Sequence, residues 1–258
     1  MLNYVRAELY KALHRKYAYI TLLVFLLLEA LLMAGDVFHN AHSLPTPFGD
    51  AVVMITVFGS IGCCVCLLTG DIVFAGQYKN STLKNEVAFG LSRARIYLGK
   101  LIAQILLSVL YLVVMIGFYV GGCAILLPHN GSGLFADSTA LTIVGYFLAA
   151  GFPLWVGAQA ATCMCLFLIQ NDIGASCATL GLTMVLHNVV NIAGLLIRGW
   201  FGDLLVKSSR YMIGSMLDTT KSVIGDMKFM AMAWLVGLFW LVVTTLIGVY
   251  GFHKKEIS

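Results

Sequence analysis

Hydrophobic positions along this chain fall into long runs separated by short polar breaks. A helix needs about 20 residues to cross roughly 30 Å of hydrocarbon. Six runs reach that length: 17–34, 51–74, 101–122, 141–168, 173–197 and 229–250. The pattern changes at three places. Before the first run, Leu2, Val5, Leu9 and Leu13 recur at spacings of three and four, while Arg6, Lys11 and Arg15 take other faces. That predicts an amphipathic helix within residues 1–16, lying in the membrane interface and leading into the first span. Residues 75–100 form a basic, helix-compatible insert between the second and third runs. Residues 198–228 mix Trp200, Phe201, Leu204, Tyr211 and Met216 with Gly199, Gly202, Gly214 and Gly225. This last segment is too apolar for a solvated linker and too interrupted to span. It predicts short helices that dip into the outer leaflet, turn back, and pack on the bundle. The expected fold is all-α: a single transmembrane domain over residues 1–258, with six membrane helices, an interfacial leading helix and a re-entrant outer segment.

Composition makes the membrane the only solvent that suits such a chain. Hydrophobic residues make up 60% and charged residues 11%, and mean hydropathy is +0.92, whereas soluble domains average about a quarter charged. Charge then sets orientation. The first loop, 35–50, and the third, 123–140, hold no lysine or arginine. The opposite side carries Arg6, Lys11, Arg15 and Lys16, then Lys79, Lys84, Arg93, Arg95 and Lys100, then Lys254 and Lys255. An even number of spans with this bias puts both termini in the cytoplasm. A cleaved signal peptide is the competing reading of residues 1–34, but no convincing small-x-small cleavage site follows Leu28. The seven cysteines lie in or at the edge of apolar runs, where free cysteine packs as a small hydrophobe. Cys64-x-Cys66 and Cys163-x-Cys165 project to different helix faces, a poor arrangement for a metal.

Motifs for chemistry are missing from the sequence. Gly99-Lys100 is followed by Leu101 and lacks the upstream glycine of a P-loop, and neither H-E-x-x-H nor G-x-S-x-G occurs. Thr179, Thr183, His187 and Asn191 follow at steps of four on the fifth span, a polar stripe with Asn188 beside it. Polar groups in a span face the bundle or a cavity, so the stripe serves interhelical hydrogen bonds or lines a substrate path, with catalysis a distant third. Glu29 stands in LLLEALLM. A carboxylate at mid-span costs roughly 2.5–3.5 kcal/mol, so Glu29 is expected to be paired, protonated or nearer the outer interface, and a first span ending near Ala34 makes the last the plain option. Small residues mark close helix contacts at Gly62, Cys66 and Gly70, at Gly117 and Gly121, and at Gly157, Ala161 and Cys165. Pro153 is expected to kink the fourth span, and Asn171-Asp172 to cap the fifth.

One inside segment has a more specific look. The string Y-K-N-S-T-L-K-N…G-L-S-R-A-R-I-Y-L-G-K, with the basic leading helix, six spans and the re-entrant last outer loop, resembles the ABC-2 type permease family. These are membrane subunits of bacterial ABC exporters, and the likeness is greatest to short permeases for antimicrobial peptides and lantibiotic immunity. Thr82, Lys84, Ser92-Arg93 and Lys100 match the family pattern, while Gln77 stands where an acidic residue is usual and Ser81 where glycine is. The resemblance implies a cytoplasmic coupling helix between spans 2 and 3 that docks on a separate ATPase subunit. Leu83, Val87 and Leu91, at spacings of four, are the expected apolar anchors in the ATPase groove, and Lys84, Glu86, Arg93 and Arg95 the orienting charges. Alternatively Arg93 and Arg95 hold anionic headgroups, worth about 1 kcal/mol each. With no nucleotide site of its own, the chain needs no cofactor; ATP and magnesium belong to the ATPase. Expected partners are two copies of that ATPase, a second permease of the same or a homologous kind, the lipid bilayer, and an amphipathic peptide or other hydrophobic substrate, with no nucleic acid. The expected location is the bacterial cell membrane. A non-transport sensor or regulator that holds a signalling partner with the same loop is the alternative, and an intramembrane enzyme acting through His187 and Asn191 ranks below both.

Overall fold

A computed structural model describes residues 1–42, 46–59, 61–74, 82–129, 133–169, 171–197 and 199–254. The described residues are helical throughout, with no strand among them. By length and composition five helices can cross a membrane, or six when one bent pair counts as a single span. In chain order the helices are α1 (Leu2–Leu13), α2 (Lys16–His42), α3 (Phe48–Val53), α4 (Ile61–Phe74), α5 (Thr82–Ala88) and α6 (Arg93–Leu126). Then follow α7 (Asp137–Leu168), α8 (Asp172–Leu180), α9 (Leu186–Leu196), α10 (Trp200–Ser209), α11 (Ile213–Thr220) and α12 (Met227–Lys254).

Several spans differ in extent from the apolar runs. The first helix continues to His42, eight residues beyond the expected end at Ala34. Gly35 and Asp36 lower helix propensity by at most about 1 kcal/mol each and do not stop a helix already nucleated by a long apolar run. The third helix starts at Arg93 and ends at Leu126, not 101–122. Lys100, read as the cytoplasmic end of a loop, is instead buried inside it. The second span is broken: α3 and a 3-10 turn, Met54–Phe58, meet α4 at an angle of 61°. A π-helical turn, Gly181–Val185, interrupts the fifth span between α8 and α9.

Indole groups repair two of the irregularities. Pro153 lacks the N–H that would bond the carbonyl four residues back. That carbonyl, Ala149 O, accepts instead from Trp234 Nε1 at 3.1 Å. At the break in the second span, Gly59 O accepts from Trp155 Nε1 at 3.1 Å, and Gly62 lies so close to the same indole that a Cβ has no room. Close glycine contacts also occur at Gly70, against Gln104 and Thr162, and at Gly157, against Gly237 of α12. Gly117 and Gly121 meet nothing in this chain. Five of the cysteines (Cys63, Cys66, Cys123, Cys163 and Cys165) are buried, and Cys177 is exposed. Asn171 Oδ1 accepts from Ile173 N at 3.1 Å, the expected cap of α8.

Burial ranks the helices. The apolar window of α7 is 56% buried inside the protein and that of α2 only 11%, so α7 is the central helix and α2 lies at the rim. One core cluster, with Ile72, Tyr97, Leu107, Phe167 and Phe252, joins α4, α6, α7 and α12. A second, with Leu154, Trp155, Leu217 and Ala233, joins α7, α11 and α12. The loop ends are tied as well. Asp50 accepts from Leu134 N at 3.1 Å and Phe135 N at 2.9 Å, fastening the first loop to the third. Arg93 Nη1 donates to Phe252 O at 2.9 Å and His253 O at 2.8 Å. The start of α6 and the end of α12 therefore share one end of the bundle, and α1 and α5 join them there.

Candidate functional site

Four elements converge at that end: α1, the end of α4, α5 and the first turns of α6. Lys100 on α6 is 0% exposed. Its Nζ lies 2.8 Å from Glu8 Oε2 and 3.5 Å from Glu86 Oε1. Lys11 adds a second cation, 2.7 Å from Glu8 Oε1 and 4.0 Å from Glu86 Oε1. Tyr4 Oη donates to Glu86 Oε2 at 2.8 Å. The ammonium of Lys100 also lies 5.7 Å from the Tyr4 ring centroid and 6.0 Å from that of Phe74. Two carboxylates meet two ammonium groups, so the cluster carries no net charge.

The sequence builds this joint by placing each charge on an apolar face. On α1 the buried positions are Val5, Glu8 and Ala12, a helical stripe that contains one carboxylate. On α6, Lys100 follows the buried Ile96 and Tyr97 and precedes the buried Leu101. Gly99 lets the helices approach: the Tyr4 ring occupies the place where a Cβ would stand. Burial alone would push the Glu8 carboxyl up, but Lys100 and then Lys11 outweigh it and hold the group below its usual range. Burial, and then the charges of Glu8 and Glu86, drive the Tyr4 hydroxyl well above its usual value, so it stays a proton donor. Removing one member of a buried ion pair costs about 3–5 kcal/mol, because the charge left behind loses its partner. The joint thus fixes α1 and α5 rigidly to α6. Arg15 reinforces it, donating from Nη1 to Ile72 O at 2.6 Å near the end of α4.

The expected docking residues divide into three groups. Leu83 is 2% exposed and belongs to the chain's own core, against which Val87 and Leu91 also pack. The apolar stripe of α5 is turned inward, so it anchors the loop to its own bundle and is not free for a partner's groove. Glu86 is held by Tyr4 and Lys100, and Arg93 covers the last carbonyls of α12. Arg95 is exposed. The side chain of Lys84, with Gln77, Lys79 and Ser81, lies outside the described residues. What α5 and its following turn present outward is Asn85, Ala88, Phe89 and Gly90. Phe89 is 87% exposed, held at the helix end by Gly90, whose φ of +83° suits only glycine. Sequence reasoning missed Glu8, Tyr4 and Phe89. Opposite charges on two apolar faces, Glu8 and Lys100, were the available signal.

The polar stripe of the fifth span is closed off. Thr179 Oγ1 donates to Ala175 O at 2.9 Å and Thr183 Oγ1 to Thr179 O at 2.8 Å, so both buried hydroxyls bond their own helix. His187 Nε2 lies 3.7 Å from Asp218 Oδ2 of α11. Gly214 of α11 sits directly on His187 and the π turn, with no room for a Cβ. Asn191 is half-buried farther along α9. Helix α11 covers the middle of the stripe at His187. Buried polar side chains cluster elsewhere, at Thr69, Gln104, Gln159 and Thr162 of α4, α6 and α7, where Gln159 Nε2 donates to Thr69 Oγ1 at 3.2 Å. No group of three or more metal-binding side chains occurs among the described residues.

Such a molecule is a multi-pass helical membrane protein with a buried charged joint beneath a short helix between two spans. Residues 4–190, more than half of the chain, match the family described as ABC-2 family transporter protein, and the chain belongs to that family. It is a permease subunit, and the family's ATPase is a separate partner. No curated protein matches the chain.

Proposed function

We propose that this chain is the membrane-spanning subunit of an ATP-driven exporter, moved by a separate ATPase that grips the turn after α5. The supporting observation is the joint itself. Helix α5 is bound to α6 and α1 through Glu86, Lys100, Glu8 and Tyr4, while Phe89 projects outward beside it. Force applied at Phe89 passes into the third span and the leading helix without slack. An exposed aromatic is a favourable anchor for a partner, and the exposed Arg95 at the start of α6 supplies a charge to orient the pair. In this reading both termini and α5 face the cytoplasm, α1 lies in the interface, and α10 and α11 fold back over the outer mouth. A second permease, the same chain or a homologue, completes the pore in a bacterial cell membrane. The substrate is an amphipathic or hydrophobic compound taken from the bilayer, antimicrobial peptides among the candidates.

The test is copurification from the native membrane with wild-type chain and with Phe89→Asp. An ABC-type ATPase whose hydrolysis rises with the wild-type permease, and which is lost from Phe89→Asp with the permease still folded, supports docking at this turn. An ATPase that stays bound to Phe89→Asp overturns the docking position. Recovery of a kinase in place of an ATPase would establish the sensor reading instead.

A further inference from the structure

The greater length of α2 puts Glu29 at the middle of that helix and not near its end. It stands 13 residues from either end of α2, or roughly 20 Å along the axis. There it lines a cavity of about 320 Å³ between α2, the broken second span, α6 and α7. The remaining walls are almost wholly apolar and include Leu28, Val65, Leu112, Met115 and Phe147. Glu29 Oε2 is buried with no hydrogen-bond partner. The two other polar side chains of the wall are already engaged: Tyr119 Oη donates to Ala51 O at 3.1 Å and Trp155 Nε1 to Gly59 O at 3.1 Å. Among the described residues no lysine, arginine or histidine lines the cavity. Leu28 and Leu31 border it and are exposed on the rim helix, so it opens sideways to lipid.

We propose that this cavity is a binding site for a small lipophilic ammonium ion, its N–H donating to Glu29 Oε2 and its apolar body filling the space against Trp155, Met115 and Phe147. The naming of this ligand class as export substrate rests on the exporter reading above; the binding itself does not. Several facts favour that occupant. A buried carboxyl oxygen without a donor is costly, and the described side chains of the wall that could donate, Tyr119 and Trp155, are engaged elsewhere. The volume is at the lower end of ligand pockets, enough for an amine with one chain or ring and too small for a folded peptide. An amine of a lipid headgroup is held at the surface, about 15 Å from mid-bilayer, so the ligand is a free amphiphile entering between α2 and α4.

The experiment uses the full chain in lipid nanodiscs, without ATPase or nucleotide, and the probe 11-bromoundecylammonium, whose bromine quenches indole fluorescence. The neutral 11-bromoundecanol serves as the matched control. Wild-type chain should show saturable quenching by the ammonium, and Trp155→Phe should lose that saturable component. Glu29→Gln should weaken ammonium binding about tenfold or more, the scale of one hydrogen bond to a charged group, while leaving the alcohol unaffected. Met115→Trp, which keeps Glu29 and fills the cavity, should abolish the saturable phase. Equal quenching by ammonium and alcohol, or an unchanged ammonium affinity in Glu29→Gln, overturns the proposal and leaves an acyl-chain pocket. Because no ATPase is present, that outcome leaves docking at Phe89 standing, and failure of docking leaves this binding intact.

Discussion

Two buried acidic sites at different depths of this bundle are built on opposite terms. At the joint of α1, α5 and α6, Glu8 and Glu86 share two ammonium groups and a tyrosine hydroxyl, and the contacts run from 2.7 to 4.0 Å. At mid-span, Glu29 faces apolar walls with one oxygen unpartnered. A carboxylate whose charge is answered inside the chain acts as a fastener, since nothing further can be gained by an incoming group. A carboxyl group with no donor inside the chain is a binding group, and a ligand that donates to it gains what the walls do not supply. Sequence alone shows both as acidic residues in apolar surroundings. Only the packing tells them apart.

The contrast is open to attack at several points. Lys100→Met carries the largest expected effect, a loss of about 3–5 kcal/mol, because Glu8 and Glu86 are left facing each other in a buried site. Thermal unfolding in nanodiscs measures it. The triple variant Lys100→Met, Glu8→Gln, Glu86→Gln should regain most of the loss, since removing a whole buried network is often near neutral. If the triple variant is as unstable as the single one, the cluster matters through packing and not through charge.

Acid should loosen the joint next. The folded Glu8 carboxyl is held below its usual range by Lys100 and Lys11, against the upward pull of burial. Its contribution is therefore complete above the unfolded value, about 4.3, and disappears as pH falls through the lower folded value. Glu8→Gln should flatten the stability profile in that window, read from unfolding temperature between pH 3 and 6 (roughly the span in which a carboxylate titrates). The opposite end of the bundle gives the smallest effect and the opposite sign. His129 is raised above its usual value by the Ala124 carbonyl and by Asp137, which it meets at 2.9 and 2.8 Å. A raised histidine stabilises below its unfolded pKa of about 6.5 and stops doing so as pH climbs through the folded value. His129→Gln should remove that slight alkaline decline and leave the acid side unchanged.

Much of the fold was legible because the solvent is lipid. Runs of 18 or more apolar residues admit few structures, and the helices lie where the runs are. The ends were harder to read, for physical reasons. Lys100 looked like the edge of a span, since a lysine in hydrocarbon is expensive; Glu8, 92 residues away, removes that expense. Residues 35–42 looked like a loop because of Gly35 and Asp36, yet helix propagation continued through them. The break in the second span depends on Trp155, whose indole satisfies Gly59 O from 96 residues away. In the second loop the apolar stripe was seen, but not its direction. Spacing shows that Leu83, Val87 and Leu91 share a face, and only the packing shows that this face is turned toward the chain's own core. For the stripe from Thr179 to Asn191, helix geometry cannot show that hydroxyls bond their own turns or that α11 lies on His187.

The difference between fastener and binding group comes down to the sign of one stability change. Glu29→Leu and Lys100→Met should be unfolded side by side, in the same nanodiscs, with no ligand and no ATPase. Glu29→Leu should raise the unfolding temperature, since it removes an unpartnered carboxylate at about 1–3 kcal/mol, while Lys100→Met lowers it by several degrees. A fall in both, with Glu29→Leu as damaging as Lys100→Met, would contradict the distinction and make Glu29 a structural residue like Glu8.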